Sequence, residues 1–152
     1  TYVLKGPRGI MHELFTDGSY LEKQQRGGYA VLIKNPEGRL RLLWGQTRER
    51  SNNLIELLAA IEGLRALKHE RYIRIISDSR YVIKGLAEWV VNWKLNNWRT
   101  ANGEPVKNIA YWQAFDALAQ GKYIEFAWVK GHNNHLENSL SDFYAKQAAA
   151  KK

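Results

Sequence analysis

The sequence has 152 residues, with 23 lysines and arginines against 15 aspartates and glutamates, and no cysteine. The length fits one hydrophobic core, so we expect a single domain over residues 1–152. The absence of cysteine excludes a disulfide scaffold, a cysteine nucleophile, a thiolate zinc site and an iron–sulfur cluster. No apolar run approaches the roughly 18 residues of a membrane span, so we expect a cytoplasmic protein with no membrane partner. The net charge of +8 suggests a polyanionic partner such as nucleic acid.

The first part of the chain predicts an antiparallel meander of three strands. An extended run over residues 12–16 leads into Asp17-Gly18-Ser19, which we expect to turn the chain. A β-branched run from Gly28 to Lys34 follows as the second strand. The segment Asn35-Pro36-Glu37-Gly38 predicts a hairpin turn, because proline presets φ and glycine tolerates the left-handed position. The returning strand is expected over residues 40–46.

The rest of the chain alternates helical and extended patterns. Residues 51–53 offer N-cap side chains for the first helix. Helices are expected over residues 54–68, 79–95, 108–120 and 137–150. Strands are expected over residues 72–77 and 123–129. This order predicts a mixed α/β fold in which helices cover the sheet.

Three carboxylates lie at positions where a charged side chain is unexpected. Asp17 and Asp78 each follow an apolar strand, where sites of open α/β sheets assemble. The alternative is that Asp17 caps a turn and Asp78 caps the following helix. Glu56 shares a helix face with Ala60 and Gly63, where the helix can press closely on a sheet. A carboxylate buried there needs a metal or a charge partner, and a salt bridge to an arginine is the alternative.

Carboxylates in a chain without cysteine suit a hard cation such as Mg²⁺ or Mn²⁺. Two carboxylates about 5 Å apart repel by roughly 3 kcal/mol at an effective dielectric constant near 20. Such a cluster would therefore persist only because cations and substrate require it. Asp142 gives no such signal, because it shares a face of the last helix with Lys146 and has the pattern of a solvated surface acid.

Two further features carry candidate chemistry. His132 and His135 lie in a loop rich in glycine and asparagine, where a histidine beside an acidic site could transfer protons. The alternatives are exposed loop histidines or a zinc site with Glu137, although that spacing fits no helix-face motif. Residues 80–107 interleave cations with tryptophans. Trp89 and Trp93, four residues apart, favour packing over base stacking, although the surrounding cations and asparagines are typical of phosphate-backbone binding.

Five motifs occur together in a fixed order. They are Phe15-Thr16-Asp17-Gly18-Ser19, Asn52-Asn53-Leu54-Ile55-Glu56-Leu57, Ser77-Asp78-Ser79-Arg80-Tyr81-Val82, Trp128-Val129-Lys130-Gly131-His132, and Glu137-Asn138 with Asp142. In order and spacing they resemble type 1 ribonuclease H, over about residues 13–149. Residues 89–94 and 105–108 resemble the basic protrusion of the cellular bacterial form.

The resemblance implies a ribonuclease H-like fold, with a five-stranded mixed sheet and helices on both faces. It implies an endonuclease that cleaves the RNA strand of RNA–DNA hybrids and leaves 5′-phosphate and 3′-hydroxyl ends. We expect the protein to be a monomer. It implies two Mg²⁺ ions, with Mn²⁺ as the alternative ion, and the implied ligands are Asp17, Glu56, Asp78 and Asp142. His132 would be the mobile proton-transfer residue.

The resemblance also implies two sets of nucleic-acid contacts. Ser51, Asn52 and Asn53 would lie at the minor groove, where the 2′-hydroxyl distinguishes RNA from DNA. The stretch around Trp89 to Arg99 would contact the backbone of the DNA strand. Together with the cations just before it, the candidate contacts are Arg80, Lys84, Trp89, Trp93, Lys94, Trp98 and Arg99. The segment 20–26 departs from the family, which usually has a glycine- and proline-rich loop there. That departure puts one set of hybrid contacts in question, but no proposed metal ligand is lost.

Two other functions compete with this interpretation. One is a binding module on the same fold without catalytic activity, which the four intact acids disfavour. The other is a different nuclease or an integrase-like enzyme, which Asn52-Asn53 and the length of the match disfavour.

Overall fold

The computed structural model describes residues 10–130 and 136–150. The strands are β1 (His12–Leu21), β2 (Arg26–Lys34), β3 (Leu40–Thr47), β4 (Tyr72–Ser77) and β5 (Tyr123–Trp128). The helices are α1 (Asn52–Ala66), α2 (Arg80–Lys84), α3 (Val90–Leu95), α4 (Ile109–Ala119) and α5 (Leu136–Ala150). A π-helical turn, Gly85–Trp89, joins α2 to α3. None of the described helices is both long and apolar enough to cross a membrane.

The five strands form one mixed sheet in the order β3-β2-β1-β4-β5. The strands β1, β2 and β3 pair in antiparallel fashion, whereas β4 is parallel to β1 and β5 is parallel to β4. The predicted meander and the mixed α/β class are therefore confirmed.

Helices pack on both faces of this sheet. On one face, α1 covers a core that includes Leu14, Val31 and Ile73. On the other face, where side chains alternate along the strands, Phe15 and Leu32 pack near α5. The helices α1 and α5 pack on the central strands from opposite faces of the sheet. Side chains from both helices can therefore lie near the same strand end.

The expected end of the first strand is wrong. The segment Asp17-Gly18-Ser19 does not turn the chain, because it continues β1 and pairs with Gly28, Tyr29 and Ala30 of β2. The chain turns instead at residues 22–25, where Gln25 has a φ of 50°. The second hairpin turn is as predicted, with a bond of 2.9 Å from the Gly38 N–H to the Asn35 carbonyl oxygen.

Tryptophans in the region of α2 to α4 pack on one another. The ring centroids of Trp89 and Trp93 are 6.0 Å apart, and Trp93 lies 5.4 Å from the buried ring of Trp112. Gly85 allows this arrangement, because a Cβ at that position would collide with the ring of Trp112. The spacing of Trp89 and Trp93 thus serves packing, as the sequence favoured.

Candidate active site

The strand register brings two aspartates to the same end of the sheet. The parallel pairing of β1 with β4 ends at Phe15 opposite Ile76. Asp17 and Asp78 each lie two residues beyond that pair. Asp17 is held inside β1 by its pairing with Ala30 on the other side. It is therefore a buried strand residue, and the alternative in which it caps a turn is wrong.

Glu56 joins these aspartates because α1 approaches β1 very closely. A Cβ on Gly18 would lie 2.7 Å from Ile55 Cγ2 and 2.9 Å from the Glu56 backbone nitrogen. Only a glycine in β1 leaves room for the helix at this distance. Farther along α1, Gly63 faces Leu14 in the same way. The predicted small-residue face is confirmed, and it sets Glu56 against the end of the sheet.

The three carboxylates form one cluster. Asp17, Glu56 and Asp78 each offer an oxygen, and these oxygens lie within 4.8 Å of one another. Asp17 is 3% exposed and Glu56 is 7% exposed. Oxygen donors at this spacing, with no sulfur or nitrogen ligand among them, are the set that hard divalent cations prefer.

Burial and mutual repulsion oppose ionisation of the cluster. Burial raises the pKa of Asp17 to about 7, with further increases from Asp78 and Asp142, although a hydrogen bond with Glu56 lowers it. Burial also raises the pKa of Glu56 well above its usual range, and the charge of Asp17 adds to this effect. No ion pair between Glu56 and an arginine occurs in residues 10–130 and 136–150, and its buried Oε2 has no hydrogen-bond partner there. The structure therefore does not support a buried salt bridge.

Asp78 does not cap α2. The cap is Ser79, whose hydroxyl accepts a hydrogen bond of 3.2 Å from the Val82 N–H. The neighbouring Ser77 hydroxyl accepts from the Ser79 N–H at 3.0 Å. The carbonyl oxygen of Asp78 accepts from the indole N–H of Trp128 at 3.0 Å. The chain around Asp78 is thus fixed by its neighbours.

Asp142 is more than a solvated surface acid. It does pair with Lys146 at 3.1 Å, as the shared helix face suggested. It also raises the pKa of Asp17 through a hydrogen bond and through its charge, so it lies beside the cluster. Ser141 anchors this part of α5 by donating a hydrogen bond of 2.8 Å to the Phe15 carbonyl oxygen.

The sequence held a signal for Asp142 in the residues next to it. Ser141, Ala145 and Ala149 are buried and recur every four residues along α5. A Cβ on Gly28 would collide with the backbone of Ala145 and Ala149, so α5 lies against β2 with almost no space between them. Small residues at helical spacing therefore place α5 on the sheet, as they place α1 beside Glu56. His132 and His135 lie outside the described residues.

The residues predicted at the minor groove lie at the start of α1. The Ser51 hydroxyl caps the helix by accepting a hydrogen bond of 3.3 Å from the Leu54 N–H. The side-chain oxygen of Asn52 accepts a bond of 3.1 Å from the Tyr20 N–H and ties α1 to β1. Asn53 is exposed. All three lie near the end of β1 that follows Asp17.

The residues predicted to contact nucleic acid in and around the protrusion make varied contacts. The Arg80 guanidinium lies 4.4 Å from the centre of the Trp128 ring, Lys94 pairs with Asp116 at 3.1 Å, and Lys84 is exposed. Arg99 donates a hydrogen bond of 2.9 Å to the Gly103 carbonyl oxygen. Trp98 is partly buried against the core, with a φ of 60°.

Known proteins share this fold and sequence pattern. The family model for RNase H matches residues 11–150. The chain is 43% identical to a ribonuclease H of Aeromonas hydrophila over 140 residues, which is 92% of this chain and 90% of that protein. It is 42% identical to a ribonuclease HI of Vibrio cholerae over 137 residues, 90% of this chain and 87% of that protein.

Solved structures of other proteins share this fold. The crystal structure of LC9-RNase H1, described as a type 1 RNase H with the type 2 active-site motif, superposes with a TM-score of 0.80 at 29% identity. The superposition covers 96% of this chain and 74% of that chain. A foamy viral protease–reverse transcriptase in complex with an RNA/DNA hybrid has a TM-score of 0.78 at 17% identity, covering 99% of this chain and 22% of that chain. At that identity the likeness concerns the fold alone.

The sheet order and the acidic cluster at its end define an α/β protein of the ribonuclease H-like fold. With the family model covering residues 11–150, the chain belongs to the ribonuclease H family, whose members are nucleases that cleave RNA in RNA–DNA hybrids.

Proposed function

We propose that the protein is an endonuclease that hydrolyses the RNA strand of RNA–DNA hybrids and leaves 5′-phosphate and 3′-hydroxyl ends. The observation that carries the proposal is the cluster of Asp17, Glu56 and Asp78, whose oxygens lie within 4.8 Å of one another in a chain of this family. A packed core gains nothing from three crowded acids, whereas phosphoryl transfer needs cations at such a place.

The proposed ligands of two Mg²⁺ ions, with Mn²⁺ as the alternative, are Asp17, Glu56, Asp78 and Asp142. The chemistry of the donors supports this choice, because all are carboxylates and the buried Glu56 Oε2 has no hydrogen-bond partner among the described residues. Divalent cations held by these carboxylates would supply an activated water and would neutralise charge on the phosphate and on the leaving oxygen. The carboxylates would hold these cations at one end of the sheet.

In the proposed reaction the oxygen of a water molecule bonds to the scissile phosphorus and the bond from phosphorus to the 3′-oxygen breaks. The attacking water gives up one proton, and the leaving 3′-oxygen takes up one proton and becomes the 3′-hydroxyl. His132 is the proposed proton-transfer and product-release residue, in keeping with the motif that it completes. No residue of the chain forms a covalent intermediate.

Proposed substrate contacts surround this centre. Ser51, Asn52 and Asn53 would read the minor groove, where the 2′-hydroxyl distinguishes the two strands. The proposed contacts to the DNA-strand backbone are Arg80, Lys84, Trp89, Trp93, Lys94, Trp98 and Arg99. Exposed cations such as Lys84 suit this role better than the packed tryptophan rings do.

We propose that the protein acts as a single-domain monomer in the cytoplasm.

The proposal is tested by substituting one ligand and one matched aspartate. Asp17→Asn should abolish cleavage of a labelled RNA–DNA duplex in Mg²⁺ while binding of the duplex persists. Asp116→Asn, on α4 outside the cluster, should cleave like the parent protein. Equal cleavage by the parent and Asp17→Asn, or no cleavage by the parent in Mg²⁺ or Mn²⁺, would exclude the assignment.

A further inference from the structure

A basic cavity lies outside the acidic cluster. It has a volume of about 650 Å³ and opens between the β1–β2 turn and the segment that joins β3 to α1. We refer to it as the arginine cavity. Its lining residues are Gln25, Arg26, Gln46, Thr47, Arg48 and Arg50. Three guanidinium groups, two amides and a hydroxyl, with no carboxylate in this lining, form a surface that suits a phosphate group.

We propose that the arginine cavity binds a backbone phosphodiester of the nucleic acid away from the cleavage position, and that Glu49 and Tyr111 are positioning residues that hold the cavity in shape. This inference rests on the proposed function, because it assumes that the same duplex also reaches the acidic cluster. It adds a binding site and two supporting residues that the family motifs do not include.

The sheet register sets the spacing between the two sites. On β2, Ala30 pairs with Asp17 and Arg26 pairs with Leu21, so Arg26 lies four residues farther along the strand. Four residues of strand span roughly 13 Å. Nucleic-acid strands rise about 3.4 Å per nucleotide along the axis, so this separation corresponds to about four nucleotide steps. One duplex can therefore contact both sites at the same end of the sheet.

Glu49 sits between two of the cavity arginines but faces another element. Its carboxylate accepts a hydrogen bond of 2.6 Å from the Tyr111 hydroxyl on α4. Its backbone N–H donates to the Thr47 hydroxyl at 3.2 Å, and its carbonyl oxygen lies against Gly27, where a Cβ would approach to 2.9 Å. The hydrogen bond with Glu49 raises the pKa of Tyr111 to about 12, so the hydroxyl remains a donor at neutral pH.

The hydrogen bond between Tyr111 and Glu49 keeps a carboxylate away from the neighbouring arginines. Tyr111 holds the only carboxylate of the segment 48–50, and that carboxylate is absent from the cavity lining. Without this hydrogen bond the Glu49 side chain could turn toward Arg48 and Arg50 and neutralise them. The bond therefore both fixes the loop and keeps its acid away from the anion site.

The altered segment 20–26 supplies part of the same cavity. Gln25 and Arg26 line it, although the family usually has glycine and proline in this segment. The left-handed φ of 50° at Gln25 turns the chain just before Arg26. Segment 20–26 thus lacks the loop that usually makes one set of hybrid contacts, but its Arg26 provides a cation for the proposed phosphate contact.

Binding measurements on Asp17→Asn without metal separate this site from catalysis. In that background, Arg26→Gln, Arg48→Gln and Arg50→Gln should each weaken binding of a hybrid about 3- to 10-fold. The triple variant should reduce the slope of log Kd against log salt concentration by about 1, because one phosphate contact is lost. Arg65→Gln on α1, an exposed cation paired with Glu62 at 3.5 Å, is the matched control and should change neither quantity.

Positioning by Tyr111 is tested by steady-state kinetics. Tyr111→Phe should raise KM about 3- to 10-fold with kcat unchanged, and Glu49→Gln, which retains an acceptor for the hydroxyl, should remain close to the parent protein. A role in folding alone would lower the melting temperature of Tyr111→Phe without raising KM. That result would overturn the positioning role.

The strand that occupies the cavity is identified with neutral methylphosphonate linkages. A single linkage about four steps from the cut is placed in the DNA strand of one hybrid and in the RNA strand of another. In one of the two hybrids the linkage should weaken binding by the parent more than binding by the triple arginine variant, and the modified strand of that hybrid is the one in the cavity. The site is refuted if the triple variant binds the unmodified hybrid like the parent with the same salt slope. Failure of the wild-type protein to cleave any hybrid would instead refute the proposed function.

Discussion

Asp17 is a carboxylate that the fold buries to 3% exposure although burial opposes its charge. Burial is the main cause that raises its pKa from 3.8 to about 7. In the metal-free protein this residue therefore reduces the free energy of unfolding at neutral and higher pH. Its presence is explained by the cation and substrate that we propose for the cluster, and not by stability.

We predict that Asp17→Asn stabilises the metal-free protein at pH 8 by about 1–3 kcal/mol, since an amide in place of a repelled charge removes much of the cost. The folded state binds the Asp17 proton more tightly than the unfolded state does. The penalty from ionising Asp17 should therefore be absent below about pH 4 and should grow as the pH rises toward about 7.

Urea denaturation in the presence of a chelator checks this prediction. At pH 4 the difference between wild type and Asp17→Asn should nearly vanish. Asp116→Asn, whose side chain pairs with Lys94 at the surface, should show no comparable gain at pH 8. A metal-free Asp17→Asn protein that is no more stable than wild type at pH 8 would contradict the account of the cluster.

Residue by residue, the sequence predicted part of the candidate site. Glu56 could be predicted to be buried, because the small residues of α1 repeat at helical spacing around it. Asp142 could not be placed beside Asp17 from its own pattern, because Lys146 on the same face gave it a sufficient partner. The available signal lay in its neighbours Ser141, Ala145 and Ala149, which are small and repeat along the face of α5 that packs on the sheet.

At the scale of elements, two glycines determine how closely the helices approach the sheet. Gly18 in β1 leaves room for α1, and Gly28 in β2 leaves room for α5. Each helix carries one proposed ligand, Glu56 on α1 and Asp142 on α5. The geometry of the cluster therefore depends on positions where no side chain can be added without moving a helix.

We predict that Gly18→Ala lowers the free energy of unfolding by about 1–3 kcal/mol, because the new methyl group would lie 2.7 to 2.9 Å from Ile55 and Glu56. Displacement of α1 should also lower kcat at a temperature where the variant is fully folded. Denaturation and steady-state cleavage of an RNA–DNA duplex measure the two effects. Unchanged kcat and stability would show that the close approach is not required.

The end of α1 offers a prediction that concerns stability alone. The Lys122 ammonium donates hydrogen bonds to the carbonyl oxygens of Leu67 and Lys68, at 3.0 and 2.8 Å, and to that of Glu70. Lys122→Met should lower the free energy of unfolding by about 1–2 kcal/mol, because these carbonyls lose a charged donor.

Lys68→Met is the matched control, since it removes an equal charge from an exposed side chain at the same helix end. It should leave stability nearly unchanged, and both variants should keep the kcat of the parent well below their melting temperatures. If thermal denaturation shows equal losses in the two variants, the bonds made by Lys122 do not explain the effect.

Elements were predicted well where a local signal exists. The strand β4 agrees with the expected residues 72–77, and Ser51 caps α1 as its N-cap chemistry suggested. The predicted end of β1 was wrong because Gly18 and Ser19 are residue types that favour turns, yet in this protein they pair with β2. Strand pairing is a tertiary contact, and it outweighs the local preference of these residues.

Across the whole molecule, charges of opposite sign gather at one end of the sheet. The acidic cluster lies there, and the arginine cavity lies about four strand residues away along β2. Net charge alone, at +8, suggested a polyanion but could not locate the site. Proximity of a cation-binding centre to a phosphate-binding surface is what hydrolysis of a nucleic-acid backbone requires.

We predict that millimolar Mg²⁺ raises the melting temperature of the protein more at pH 8 than at pH 5. Protons compete with cations for Asp17 and Glu56, whose raised pKa values keep them protonated at the lower pH. Asp17→Asn should lose most of the increase. Differential scanning calorimetry with and without Mg²⁺ measures it, and an increase of equal size at both pH values would argue against binding at the cluster.

Strand-resolved cleavage tests directly whether the protein is a nuclease specific for the RNA strand of hybrids. Four duplexes of one sequence, each with one end-labelled strand, are incubated with the wild-type protein in Mg²⁺: a hybrid labelled on RNA, the same hybrid labelled on DNA, an RNA duplex and a DNA duplex. The proposed nuclease should make internal cuts only in the RNA strand of the hybrid, with 3′-hydroxyl and 5′-phosphate ends. Cleavage of the DNA strand, equal cleavage of the RNA duplex, or cleavage that persists in a chelator would contradict this proposal.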